Sequence, residues 1–336
     1  MGKIQILDCT LRDGGYVNNW EFGKETIEKV IRILSAVGVD LVELGFFRDE
    51  AYGENRSIFN DISQVQKITK EYSDKTNFAG LIEMANPFPF EKLASCPGDA
   101  PKTIRYSFWK RLIDEGYENC RIIADKGYKL CCQPTRVEQY SDEDFKNLCL
   151  KFSELNPYAL YIVDTFGLLE KKQLLNYAEI ANKYLAKDVI LGYHAHNNMN
   201  QAFSNACAFT DLDFGERTVQ LDATIGGIGR GAGNLALENI LLYLNHTKGT
   251  KYDLTLIYKA LDECILPVKK NFPWGYSETF FITAAAHCNP NYANYFLDKG
   301  LSLSEVQNAI SLIEGEDKYL YSKEKAERFV EKMLKG

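Results

Sequence analysis

Short apolar, β-branched runs alternate with segments of helical period eight times in succession along this chain of 336 residues, and that alternation leaves few architectures open. The strands are expected at 4–8, 41–45, 78–83, 103–108, 130–133, 160–164, 190–194 and 218–222. Between them lie amphipathic stretches such as 24–37, where Ile27, Val30, Ile31 and Leu34 recur at helical spacing and Gly38 supplies the stop. Eight βα units of this length describe a closed α/β barrel, the (β/α)8 or TIM barrel, better than an open doubly wound sheet. From about Tyr252 the pattern becomes mostly helical, so the chain is divided into a barrel over 1–249 and a helical C-terminal cap over 250–336.

In such a barrel, functional side chains gather at the carboxyl ends of the strands. Here those ends read Arg12-Asp13, Glu43-Leu44-Gly45, Glu83-Met84, Asp164-Thr165, His194-Ala195-His196 and Asp222-Ala223-Thr224. His194 and His196 are two apart on a strand and so face one side, which makes half a metal site. Closure sets the first and seventh strands two spacings apart, about 10 Å, so Asp13 and the histidine pair can converge on one ion.

Composition excludes other classes. The formal charge is −7, and no basic stretch interleaved with aromatics tracks a phosphate backbone, so nucleic acid is not an expected partner. Nine cysteines show no C-x-x-C spacing and several sit in apolar runs, which reads as buried free thiols. No apolar stretch approaches about 20 residues and no signal peptide precedes the first strand, so no membrane partner and a cytoplasmic location are expected. A homo-oligomer is left open.

The strings Thr10-Leu11-Arg12-Asp13-Gly14, His194-Ala195-His196-Asn197 and Gly229-Arg230-Gly231-Ala232-Gly233-Asn234 occur in that order and at barrel spacing. Together they resemble the metal-dependent lyase and aldolase barrels that include 4-hydroxy-2-oxovalerate aldolase, hydroxymethylglutaryl-CoA lyase and isopropylmalate synthase. The resemblance implies Asp13, His194, His196 and Asn234 as metal ligands and Arg12 as the cation that stabilises an enolate. It implies a divalent metal, Mn²⁺ first, with Mg²⁺, Co²⁺ and Zn²⁺ also open. Glu43 matches an acidic residue of the family and is assigned to orienting Arg12 or metal water. The expected activity is that of an aldolase making or breaking a C–C bond through a pyruvate-type enolate, with a 2-oxo acid and an aldehyde as partners. An acyl-CoA Claisen synthase or lyase, and a catalytically silent metal-binding barrel, are the alternatives.

One departure bears on mechanism. Hydroxy-oxovalerate aldolases carry a histidine a few residues after the Arg-Asp-Gly segment, where this chain has Gly15-Tyr16. Tyr16 is assigned as acid or proton relay, because a phenol of pKa about 10 is a poor base at neutral pH. The base is then sought in metal-bound hydroxide, Glu43, or cap residues Tyr276, Tyr292 or His287. Asp8 could orient Arg12 as readily as touch the metal, and is placed behind the ligands. Asp164-Thr165 and Asp222-Ala223-Thr224 have the strand-end placement of functional residues, buried hydrogen bonding accounts for them equally well, and neither is assigned a chemical role; His246 is read as solvent or core packing. The glycine-rich 226–233 follows the eighth strand instead of opening a βαβ unit, so it reads as an anion seat and not a dinucleotide loop.

Overall fold

The computed structural model describes residues 2–72, 76–98 and 101–335. Eight parallel strands form the wall: β1 Ile4–Asp8, β2 Leu41–Phe47, β3 Asn77–Glu83, β4 Thr103–Phe108, β5 Lys129–Pro134, β6 Ala159–Asp164, β7 Ile190–Ala195 and β8 Val219–Ala223. Each pairs with the next. The ring closes at β1, whose five residues run in register with Val219 to Ala223 while Leu7 and Asp8 pair with Leu41 and Val42 of β2. The fold is the expected TIM barrel followed by C-terminal helices.

Alternation along the strands sorts the core into two shells. Val42, Ile82, Ile104, Leu160, Leu191 and Leu221 join the large apolar layer beneath the helices. Their neighbours Leu7, Leu41 and Ala79, and separately Cys131, Ala159 and Tyr161, cluster apart from that layer inside the ring. Gly192 of β7 is a glycine for reasons of space: a Cβ there would stand 2.4 Å from the ring of Tyr161.

Among the described residues, seven α-helices follow the strands: α1 Lys24–Val37, α2 Ile62–Thr69, α3 Ile113–Asp125, α4 Asp142–Ser153, α5 Lys171–Tyr184, α6 Ala202–Asp211 and α7 Leu237–Thr247. The third unit departs from the expected pattern. Among the described residues, β3 is followed only by a 3-10 turn at Phe90–Lys92. Pro87, Pro89, Pro97 and Pro101 crowd this connection, and each removes a backbone donor and clashes within a helix. Phe88 and Leu93 fill the gap in the outer layer instead. β2 also runs two residues past its expected end, because Phe46 and Phe47 pair with a short added strand, Ile58–Phe59.

Beyond the barrel, Leu254–Ala260 runs into a π-helical turn, Leu261–Ile265, and this segment packs on α1, adding Ile257, Cys264 and Ile265 to the outer layer. A second apolar core, including Cys288, Tyr292, Phe296, Val306, Ile310 and Phe329, is built by helices Asn291–Asp298, Leu303–Ser311 and Lys323–Lys335. No helix among the described residues is long and apolar enough to cross a membrane.

Candidate metal centre

The two histidines leave β7 on one side, as their spacing requires, and their rings meet at 5.0 Å between centroids. Each has one ring nitrogen already committed. His194 Nδ1 lies 2.9 Å from Asp222 Oδ2, and His196 Nδ1 lies 3.1 Å from the carbonyl oxygen of Asp164. A carbonyl only accepts, so His196 Nδ1 carries a proton, and Nε2 is the nitrogen left to a metal ion. That Nε2 is buried and has no hydrogen-bond partner. Both Nε2 atoms instead face Asp13: His194 at 3.7 Å from Oδ2 and His196 at 3.6 Å from Oδ1. Asp13, His194 and His196 thus form a buried group whose donor atoms lie within 4.8 Å of one another.

Asn234 completes the picture from the loop after β8. Its Nδ2 donates to Asp13 Oδ1 at 2.9 Å and to the carbonyl of Ile228 at 3.0 Å, while its Oδ1 is buried without a partner. The orphaned Nε2 of His196 and Oδ1 of Asn234 are what a cation site requires: buried lone pairs whose cost a bound ion would remove. Outer carbonyl and carboxylate acceptors that fix ligand tautomers belong to the same arrangement. Gly229 keeps the space open, since a Cβ there would stand 2.0 Å from Asn234 Nδ2 and 2.9 Å from Asp13 Oδ1. Gly229→Ala is therefore expected to push Asn234 off Asp13 and weaken divalent-metal affinity at least tenfold, measured by calorimetric titration of the chelator-treated chain.

A second grouping of Cys9, His194 and Asp222 is also compact. It is the poorer site, because burial drives the Cys9 thiol well above its ordinary value and Asp222 is already engaged by Arg105.

The charges behind the ligands form one chain. Arg12 Nη1 pairs with Asp13, and Arg12 Nε donates to Glu43 Oε2 at 2.7 Å. Arg105 Nη1 reaches the same Glu43 oxygen at 2.8 Å, and its Nη2 pairs with Asp222, which holds His194. Glu43, Arg105 and Asp222 are at most 1% exposed. Burial alone would raise the Asp13 carboxyl, but Arg12 and the two imidazoles more than offset it and hold it well below the usual carboxylate range. Asp222 is likewise lowered, with Arg105 and His194 outweighing burial. Burial lowers His194, the pull of Asp222 notwithstanding, which keeps the imidazole a neutral donor.

A cavity of about 470 Å³ opens on this cluster, and Arg12, Asp13, Tyr16, His194 and His196 all line it. Tyr16 packs edge-on against Trp20 and Phe46, with its hydroxyl 3.5 Å from Glu83 Oε2. Burial first, then Glu83, pushes its phenol well above the ordinary value, so it stays protonated. Glu43 does not line the cavity; it sits behind Arg12 and steers it. Asp8 does not touch Arg12. It accepts from the backbone N–H and hydroxyl of Thr10 at 2.9 and 2.8 Å, and burial pushes its carboxyl up to about 7.

The C-terminal segment lines the cavity with Asn289, Asn291, Tyr319, Leu320 and Tyr321. The cap residues singled out from the sequence lie elsewhere: Tyr276 is half exposed, and Tyr292 is buried in the second apolar core. His287 is not among the lining residues. Sequence reading missed Arg105, whose only signal was one arginine inside the apolar run Thr103-Ile104-Arg105-Tyr106. It also missed Glu138, just after β5, whose two carboxylate oxygens are buried without partners and whose carboxyl burial pushes up to about 8. An unfolded glutamate ionises near 4.3, so between about pH 4 and 8 the unfolded chain sheds a proton that the folded chain keeps, and stability falls as pH rises. Glu138→Gln is expected to flatten that slope and stabilise the protein by a few kcal/mol near pH 8, on the order set by the shift, read from urea unfolding across pH.

Barrel, paired histidines and a facing aspartate beside a fixed arginine define a β/α barrel with a three-residue candidate metal centre. Residues 109–263 match the HMGL-like family. A 2-isopropylmalate synthase of Sulfurisphaera tokodaii is 26% identical over 75% of this chain and 64% of its own length. A 4-hydroxy-2-oxovalerate aldolase of Carboxydothermus hydrogenoformans is 24% identical over 79% and 78%. In fold, the chain is similar to the N-terminal domain of a putative aldolase from Bacteroides vulgatus, with a TM-score of 0.73 at 22% identity over 87% of this chain and 96% of that one. The carboxyl transferase domain of Rhizobium etli pyruvate carboxylase also superposes, with a TM-score of 0.71 at 12% identity over 99% of this chain and 60% of that one. The chain resembles the HMGL-like lyases and aldolases, as its three motifs implied.

Proposed function

We propose that this protein is a divalent-metal-dependent aldolase that makes or breaks a C–C bond through a pyruvate-type enolate. The observation that carries the reading is the pair of imidazoles, each with its outer nitrogen engaged and its Nε2 facing Asp13, beside a guanidinium that lines the same cavity. Asp13, His194 and His196, with Asn234 as a further donor, would hold the ion, for which Mn²⁺ is the first choice. Bound there, a divalent ion supplies a Lewis acid for the keto and carboxylate oxygens of a 2-oxo acid.

The chain's own residues do the rest. Arg12 is clamped by Glu43 and Asp13, so its charge is already oriented where an enolate develops and needs no reorganisation. Glu43 is a positioning residue that acts through Arg12. Tyr16, held protonated, serves as a hydrogen-bond and proton donor at the cavity and not as the base. The nine free cysteines support a reducing, cytoplasmic setting.

The test is deuterium exchange at pyruvate C3, followed by proton NMR with Mg²⁺ and with trace Mn²⁺. Metal-dependent exchange is expected in the wild type, and Arg12→Ala should slow it by about 10²–10³-fold, the loss typical for a preorganised charge-stabilising group. Absence of exchange in folded, metal-loaded protein would refute the aldolase reading. The synthase relatives support a second reading, Claisen condensation of an acyl-CoA with a 2-oxo acid. Release of free thiol from acetyl-CoA in the presence of 2-oxo acids distinguishes it.

A further inference from the structure

Two further arginines line the cavity outside the cluster described so far: Arg230, whose Nη2 donates to Asn289 Oδ1 at 2.6 Å, and Arg136, whose guanidinium has no such partner. Arg136 follows β5 and lines the same cavity as Arg12, Asp13 and the histidines. It is only 6% exposed. Its guanidinium lies 5.8 Å from the Trp109 ring centroid and 4.8 Å from that of Tyr319, stacked between the barrel and the C-terminal segment. It forms no ion pair or side-chain hydrogen bond with any described residue. Buried arginines elsewhere in this molecule do: Arg12 and Arg105 each hold two carboxylates.

The backbone is committed to this placement as well. Arg136 has φ 58 and ψ 55, a left-handed conformation unfavourable for a residue with a Cβ, fixed by its N–H donating to Thr165 Oγ1 at 2.7 Å. Strain and an unmatched charge held together at a cavity wall point to a ligand that supplies the counter-charge. Neighbouring acids do not supply it. Burial keeps Glu138 protonated up to about pH 8, and Glu316 is exposed and turned to Arg111 at 3.7 Å. Burial pulls the Arg136 guanidinium below its ordinary value, the sign of a cation lacking its partner.

We infer that Arg136 is a second anion subsite, and that the component joined to or released from the enolate carries a terminal carboxylate or phosphate. The identity of the enolate half rests on the reading above; the subsite itself does not. β5 and β7 are two strand spacings apart, roughly 10 Å, so one short substrate spans from the metal-ligand cluster to Arg136 with an anionic group at each end. Guanidinium matches either anion with a two-pronged hydrogen bond. The guanidinium lies over the Tyr319 ring at 4.8 Å, which fixes its plane toward the cavity.

The test has two arms. The full-length chain, metal-free and labelled with ¹⁵N-arginine, is titrated with butyrate, methyl phosphate and butyramide while the Arg136 Nε–Hε resonance is followed, assigned by its loss in Arg136→Lys. A saturable shift with one or both anions and none with the amide is expected, and the tighter anion identifies the terminal group. No saturable shift with either anion, or an equal shift with butyramide, overturns the subsite. In the second arm, pyruvate is offered with butanal, succinic semialdehyde or glyceraldehyde 3-phosphate. An anionic aldehyde should exceed butanal at least tenfold in kcat/KM, and Arg136→Gln should collapse that ratio toward one through KM. A ratio unchanged in Arg136→Gln overturns the proposal. The first arm uses neither metal nor pyruvate, so it decides the subsite even if pyruvate exchange is absent from the wild type.

Discussion

His196→Ala is expected to abolish tight divalent-metal retention and, with it, metal-dependent exchange at pyruvate C3, while the chain stays folded. The asymmetry follows from what the imidazole gives each side. Toward the protein, His196 makes one hydrogen bond, from Nδ1 to the Asp164 carbonyl, and its Nε2 is left without a partner. Losing that ring costs a modest net hydrogen bond and some packing. Toward an ion, it removes one of three clustered donors. Even outer partners of ligating histidines cost about 10–100-fold in affinity when removed, so a ligand should cost at least about 100-fold. Bound metal per chain after desalting, measured by elemental analysis, and urea unfolding of the metal-free protein separate the two effects. Unchanged metal content would move the centre away from this cluster.

Arg105→Ala is expected to have the largest effect on stability. Arg105 is fully buried within the barrel, bonds Glu43 at 2.8 Å, pairs with Asp222 and lies over the Tyr161 ring at 4.7 Å. Without it, two buried carboxylates lose their shared counter-charge. Breaking a buried pair from one side typically costs about 3–5 kcal/mol, because the remaining charge is left unmatched. The deficit should shrink when Asp222→Asn is added, since Asp222 is the acid left without a cation while Glu43 keeps Arg12, and the two substitutions should be clearly non-additive in urea unfolding. A loss below about 1 kcal/mol would mean that Arg105 does not neutralise these acids. His194 should respond as well: freed from Arg105, Asp222 pulls harder on the imidazole and raises its pKa, which the ring-proton NMR titration reads.

These two positions mark the limit of what a linear reading reached. His196 was legible because a two-residue repeat on a strand fixes a shared face, and strand ends in a barrel fix a shared rim. The strand positions were legible for the same local reason, and the helix at 24–37 emerged with the expected bounds. Arg105 was not legible as part of the site. Its strand gives its face but not which acids stand across the ring, and those are 62 and 117 residues away in sequence. That no helix follows β3 among the described residues could have been read from four prolines within 15 residues of one another, had their cost been weighed against the regular alternation.

The barrel, the inward face of His194 and His196, and the rim on which Arg12 and Asp13 stand all follow from short periods and strand order. Only the tertiary contacts decided between the two places open to Glu43, setting it on Arg12 and off the cavity wall, and decided that Asp8 serves its own turn and that Asn289 and Tyr319 rather than Tyr276 or Tyr292 reach the cavity. Those outcomes depend on register between strands and on where the second apolar core settles against the barrel mouth, and both are set by contacts between residues far apart in the chain.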